Sequence, residues 1–179
     1  MADFNLFLPL LLENEGSQVV ENDQGRGVSK YGWTYMTLKQ LMPGVTPDDI
    51  RNMTSETAGQ LYKKYFWDQN RFGSIASQAV ANKVCDLSVD LGPGAAIRLL
   101  QAAVGLPVSM QTGYFGAITC VRVNAQADGD VLLGSFVYEN GVVTGTGYRG
   151  IVAQWYVDDV KKNPAKAPEL PGWLARLAK

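Results

Sequence analysis

A chain of 179 residues, 46% hydrophobic and 18% charged, is long enough to bury a core and falls in the range where one domain is the default. Sixteen basic residues against seventeen acidic ones give a formal charge of -1, which supplies no field for a phosphate backbone or an anionic membrane, so nucleic acid is not an expected partner. With no histidine and only two cysteines far apart, zinc sites, Ser-His-Asp triads and Cys-His dyads fall away, and no metal or other cofactor is implied.

The apolar run Leu6 to Leu12 is too short to span a bilayer, follows Asp3 rather than a basic segment and precedes no small-residue cleavage site, so neither a signal peptide nor a membrane anchor is expected. Leu8, Leu11, Leu12 and Glu15 fall at i, i+3, i+4 and i+7, one face of a first helix that ends at Glu15 with Gly16 as its cap. Pro9 has no backbone donor, so this helix starts shortly before it or kinks there. Glu13, two positions from Glu15, lies about 200° around the axis and leaves that face. A carboxylate at the edge of a buried face, near the negative end of a helix dipole, has its ionised form disfavoured on both counts, which suits a general acid.

Residues 17 to 34 read as short strands around glycine-rich turns, a small β-hairpin. Thr46, Pro47, Asp48 and Asp49 have the order of an N-cap, a first-turn proline and first-turn acids, and open a short helix to about Met53. Thr54 caps the next helix, whose face carries Ala58, Leu61, Tyr62, Tyr65 and Phe66. Val80, Val84, Leu87 and Leu91 mark a central helix that stops at Gly92-Pro93-Gly94; Asp86 and Asp90 within it read as a solvated face. Ala95 to Val104 form another helix, and Ile118, Val121 and Val123 a further one. Cys85 and Cys120 lie in these helical segments and read as buried free thiols.

From Asp128 to Gly147 the pattern is β-like, with Glu139-Asn140-Gly141 as the turn of a second hairpin. The last long helix is expected from Ile151 to about Lys162, followed by a Pro-rich stretch and a terminal turn over Gly172 to Leu177. Gly145, Gly147 and Gly150 match a dinucleotide-binding spacing, but the βαβ alternation such a site requires is missing, and they read as a loop entering that helix.

Glu15-Gly16-Ser17, followed by Gly25-Arg26-Gly27-Val28-Ser29-Lys30-Tyr31-Gly32-Trp33-Thr34, resembles the signature of the glycoside hydrolase family 108 muramidases, which reads Glu-Gly-Gly, an Asp-Pro-Gly-Gly turn, then Thr-Asn-Tyr-Gly-Ile-Thr. Leu61-Tyr62 to Trp67, Val84-Cys85-Asp86, Leu99-Leu100-Gln101, Tyr148-Arg149 and Gly172 to Arg176 extend the likeness over most of the chain. The sequence departs from the pattern at Ser17, at Gln24, where the turn acid would stand, and at Arg26.

The resemblance implies a mainly α, lysozyme-like helical domain over residues 1–179 with one or two small β-hairpins. Residues 1–92 would be its catalytic region and 93–179 a peptidoglycan-binding-like helical region. It implies cleavage of the peptidoglycan glycan strand at MurNAc-β-1,4-GlcNAc bonds, with Glu15 as the catalytic acid. Glycosidases normally pair such an acid with a second carboxylate. Glu21 and Asp23 are the candidates, and a water held by Ser29 or Thr34 is the alternative. Tyr31, Trp33 and Trp67 are candidate sugar platforms, with core packing as the competing reading. A lytic transglycosylase on the same fold, or a wall-binding protein without turnover, are the rival functions. Related muramidases occur as phage lysins and as effectors injected into rival bacteria. Both settings imply synthesis in the cytoplasm and action in the target's periplasm or cell wall, and the second implies a periplasmic immunity protein that occludes the cleft.

Overall fold

The leucines near the N-terminus do share one helix. In the computed structural model, which describes residues 1–126 and 128–179, α1 spans Phe4–Glu15 with Phe7 and Leu11 buried. Starting at Phe4, the helix takes Pro9 in its second turn. Gly16, at φ +70, ends it as a left-handed cap, its N–H donating to Leu12 O at 3.0 Å. The chain divides into two compact units, Phe4–Tyr65 and Met1–Asp3 with Phe66–Lys179.

In the smaller unit the hairpin is made of β1 (Ser29–Lys30) and β2 (Trp33–Thr34), antiparallel, with Ser29 opposite Thr34 and Lys30 opposite Trp33. Tyr31 and Gly32 form its two-residue loop with φ +50 and +75, the left-handed pair of a type I′ turn. An isolated bridge from Val20 to Ser29 adds a third edge. A helix not expected from the sequence follows at once, α2 (Tyr35–Leu41), capped by Thr34. The expected helix after Thr46 is α3 (Pro47–Arg51), with a capping box in which Thr46 Oγ1 accepts from the Asp49 N–H and Asp49 Oδ2 accepts from the Thr46 N–H. α4 (Ser55–Tyr62) is capped by Thr54. Gly59 lets α4 approach α1 closely, since a β-carbon there would lie 2.9 Å from Leu8 Cδ2. After Tyr62 the chain passes into a π-helix, Lys63–Asp68.

The larger unit is built around α5 (Gln78–Leu91), in which Val80, Val84 and Leu87 are fully buried as their spacing predicts. Gly92 breaks it at φ +82, and Pro93 opens α6 (Pro93–Ala103), which packs back on α5. α7 (Ala117–Asn124) is helical as expected, yet Ile118 and Val121 are exposed, and the helix buries Thr119 and Val123. The β-like reading from Asp128 is corrected at its start: Asp128 is an N-cap, accepting from the Asp130 N–H, and Gly129–Leu133 form α8. The second hairpin then follows as β3 (Phe136–Glu139) and β4 (Val142–Gly145) around Asn140-Gly141. α9 starts at Gly147, earlier than expected, and runs to Lys162; the terminal turn is a helix, α10 (Leu170–Ala178).

Two further readings change. Asp86 is not solvated: it is buried at 4% exposure and receives Arg176 Nη2 at 2.8 Å and Nε at 3.1 Å, while Asp90 is exposed as expected and accepts from the Tyr156 hydroxyl at 2.5 Å. Opposite charge at hydrogen-bond range offsets the burial that would otherwise exclude a carboxylate from a core. Gly145 and Gly150 bring β4 and α9 into backbone contact, since a β-carbon on Gly145 would lie 2.8 Å from Gly150 Cα, and Gly147 meets the end of α8, where a β-carbon would lie 2.5 Å from Leu132 O. Cys85 and Cys120 are both free, Cys85 buried and Cys120 half-buried. Among the described residues no helix is long and apolar enough to cross a membrane.

Candidate active site

Glu15 is the last residue of α1, half-buried, and its position follows from the leucine periodicity that orients the helix. Its carboxyl lies against the loop of the hairpin. A β-carbon on Gly32 would overlap Glu15 Oε2 and the Tyr62 hydroxyl and would stand 2.9 Å from Glu15 Cδ. Three separate segments therefore meet at one point: the end of α1, the Tyr31-Gly32 turn and the last residue of α4. The Tyr62 hydroxyl donates to Tyr31 O at 2.8 Å, and the Tyr62 ring is packed on Trp33 with centroids 4.7 Å apart.

The other candidates fall into distinct environments. Glu21 is exposed and bound to Arg51, whose Nη2 and Nε stand 2.8 Å and 3.2 Å from the carboxyl oxygens. That hydrogen-bonding guanidinium holds the Glu21 carboxyl below its ordinary range. Asp23 opens a turn in which its own carbonyl accepts from the Arg26 N–H at 2.8 Å, with Gln24 and Gly25 at φ +51 and +78. Its carboxylate is less exposed than that of Glu21 and has a looser cation, Arg26 Nη2 at 3.4 Å.

Ser29 and Thr34 are buried opposite each other in the hairpin. Thr34, the expected water holder, has a hydroxyl that accepts the Thr37 N–H at 3.2 Å and pairs with Thr37 Oγ1 at 2.9 Å, the ordinary work of an N-cap. Trp33, 2% exposed, is core rather than a sugar platform, wedged against Tyr62 and Tyr65. Trp67 is also core, in the larger unit, edge-on to Phe72. Tyr31 alone of the three aromatics keeps an open side, with Lys30 Nζ 5.6 Å from its ring centroid. The sequence places Tyr62 on the apolar face of its helix. The signal for more was its phenol, since a buried tyrosine hydroxyl needs a polar partner.

A half-buried carboxyl at a helix end, set beside a hairpin on a mainly α scaffold, is the arrangement expected of a lysozyme-like glycoside hydrolase. Residues 8–92 match the family model described as Glycosyl hydrolase 108, and the match supports a glycosidase. The solved structure of SagA from Brucella abortus is similar in fold, with a TM-score of 0.67 and 20% identity, covering 97% of this chain and 88% of that one. No curated protein matches the chain.

Proposed function

We propose that the enzyme cleaves the peptidoglycan glycan strand at MurNAc-β-1,4-GlcNAc bonds, with Glu15 as the general acid. The observation that carries this reading is the convergence of the Glu15 carboxyl with the bare Gly32 backbone on the exposed edge of the hairpin. Glu15 donates its proton to the glycosidic oxygen as the C1–O bond breaks. A carboxylate then takes a proton from the water that attacks C1, and the cycle closes when that carboxyl releases its proton to solvent and Glu15 regains one. Asp23 is the better second carboxylate, because Glu21 is held by a bidentate arginine whereas the cation beside Asp23 is at the limit of contact. Tyr31 offers its ring to a sugar face. Ser29, buried, supports the hairpin and would hold water only inside it.

One observation favours a second reading. Glu21 and Asp23 already have arginine partners, and a lytic transglycosylase needs neither, since an acetamido group of the substrate assists departure. The family resemblance also supports a role as an injected effector or phage-type lysin, acting in the target's periplasm or wall, with a periplasmic immunity protein as the partner of an effector.

Fragments released from purified peptidoglycan, reduced with borohydride and read by mass spectrometry, test these readings together. New MurNAc reducing ends, lowered about 100-fold or more in Glu15→Gln, are the expected result. Anhydro-MurNAc ends would make the enzyme a transglycosylase. An undiminished Glu15→Gln enzyme would remove the acid assignment.

A further inference from the structure

Tyr62 is 1% exposed, which is ordinary for a core tyrosine, but its oxygen is not at an ordinary place. It lies beside Gly32, where a β-carbon would meet both it and Glu15 Oε2, and it donates to the carbonyl of the residue preceding that glycine. The ring is clamped by Trp33, and Tyr62 ends α4 where the backbone passes from α-helix to π-helix. Such register changes are frequent at functional sites, because they re-aim a side chain without ending the helix. The approach of α4 to α1 at Gly59 and Leu8 brings this tyrosine up to the end of α1.

We propose that Tyr62 is a positioning residue for the acid: its hydroxyl, anchored on Tyr31 O, forms with the bare Gly32 backbone the seat that fixes the Glu15 carboxyl. The inference rests on Glu15 being the acid. The phenol does not touch the sugar in this scheme. It keeps the turn and the carboxyl in register, so that the proton is delivered from one place. A glycosidic oxygen would reach Glu15 beside Gly32, which carries no side chain of its own. Loss of the hydroxyl frees both the turn and the carboxyl, and misplacement of a reacting group by about 1 Å costs on the order of 100-fold in rate.

The test is a double-mutant cycle on the full chain, with wild type, Tyr62→Phe, Glu15→Gln and the double variant compared for kcat and KM on solubilised glycan strands. Tyr62→Phe is expected to lower kcat about 10- to 100-fold, with KM changed less than about threefold. In the Glu15→Gln background the same change should alter the residual rate by less than about twofold, because there is no acid left to position. Should Tyr62→Phe fold poorly by near-ultraviolet circular dichroism, 4-aminophenylalanine at position 62 restores a donor to Tyr31 O and should recover most of kcat. Equal losses in both backgrounds would show a merely structural role and overturn the proposal, as would a wild-type kcat in Tyr62→Phe. An active Glu15→Gln enzyme would overturn the acid reading, and this inference with it, whatever Tyr62→Phe does.

Discussion

Replacing Gly32 with alanine adds one methyl group where the Glu15 carboxyl and the Tyr62 hydroxyl converge. The backbone cost is that of any L-residue at φ +75, about 1 kcal/mol. The steric cost is specific to this position. The new β-carbon would stand 2.9 Å from Glu15 Cδ, where ordinary contact begins near 3.4 Å, and would overlap Oε2 outright. Relief requires the carboxyl to move by about 1 Å, which predicts a fall in kcat on the order of 100-fold. If the phenol moves as well, a buried donor bond to Tyr31 O is broken, at about 1–3 kcal/mol of stability.

Gly25→Ala is the matched control. Gly25 has φ +78 in another turn of the same unit, and a β-carbon there meets nothing within 4 Å, so it carries the backbone cost without the overlap. Both variants should therefore lose about 1 kcal/mol or more in thermal unfolding, while only Gly32→Ala loses turnover per folded molecule. The assay is release of reducing ends from solubilised glycan strands at saturating substrate, normalised to the folded fraction. A Gly32→Ala enzyme whose kcat lies within about threefold of Gly25→Ala would refute the reasoning, because the carboxyl would then not need the place that it occupies.

Two other perturbations address side chains whose surroundings the structure defines. Thr34→Ala removes the cap of α2 and should cost about 1 kcal/mol in chemical denaturation while the folded enzyme keeps kcat within about threefold; a loss of 100-fold would return Thr34 to the chemistry. Lys83 is buried, and desolvation lowers its pKa from 10.5 to about 8 despite the nearby Asp86 carboxylate. Between those values the unfolded chain binds more protons than the folded one, so this group's contribution to stability rises with pH through that window, by up to about 3 kcal/mol. Melting temperatures at pH 7 and pH 10 should therefore show wild type gaining several degrees on Lys83→Met, and a gap that does not change would refute the shift.

Legibility followed the range of the interaction. Glu15 could be read because its placement is local: four positions on one helix fix its direction, and the capping glycine fixes where that helix ends. The capping box at Thr46, the Asn140-Gly141 turn and the break at Gly92 were readable for the same reason, since each depends on a few adjacent residues. α2 was missed because Thr34 ends a strand and caps a helix at once, so the strand pattern before it hid the start of the helix. α8 was missed because the run Val131-Leu132-Leu133 reads as a buried strand, and only the Asp128 cap distinguishes it. Asp86 was misread because its arginine lies 90 positions away, beyond any local pattern.

The seat of Glu15 combines both kinds of information, which explains why half of it was visible. The turn that presents Gly32 is local, and the requirement for a left-handed second residue already favours glycine there. The same glycine is also required by something non-local, the arrival of Glu15 from α1 and Tyr62 from α4. A turn needs only the left-handed backbone, which asparagine also adopts, whereas the seat needs the absence of a β-carbon. Gly32→Asn separates the two demands: if the turn alone selects glycine, asparagine will preserve kcat, and if the carboxyl needs the space, it will fail as alanine does while leaving the hairpin less strained.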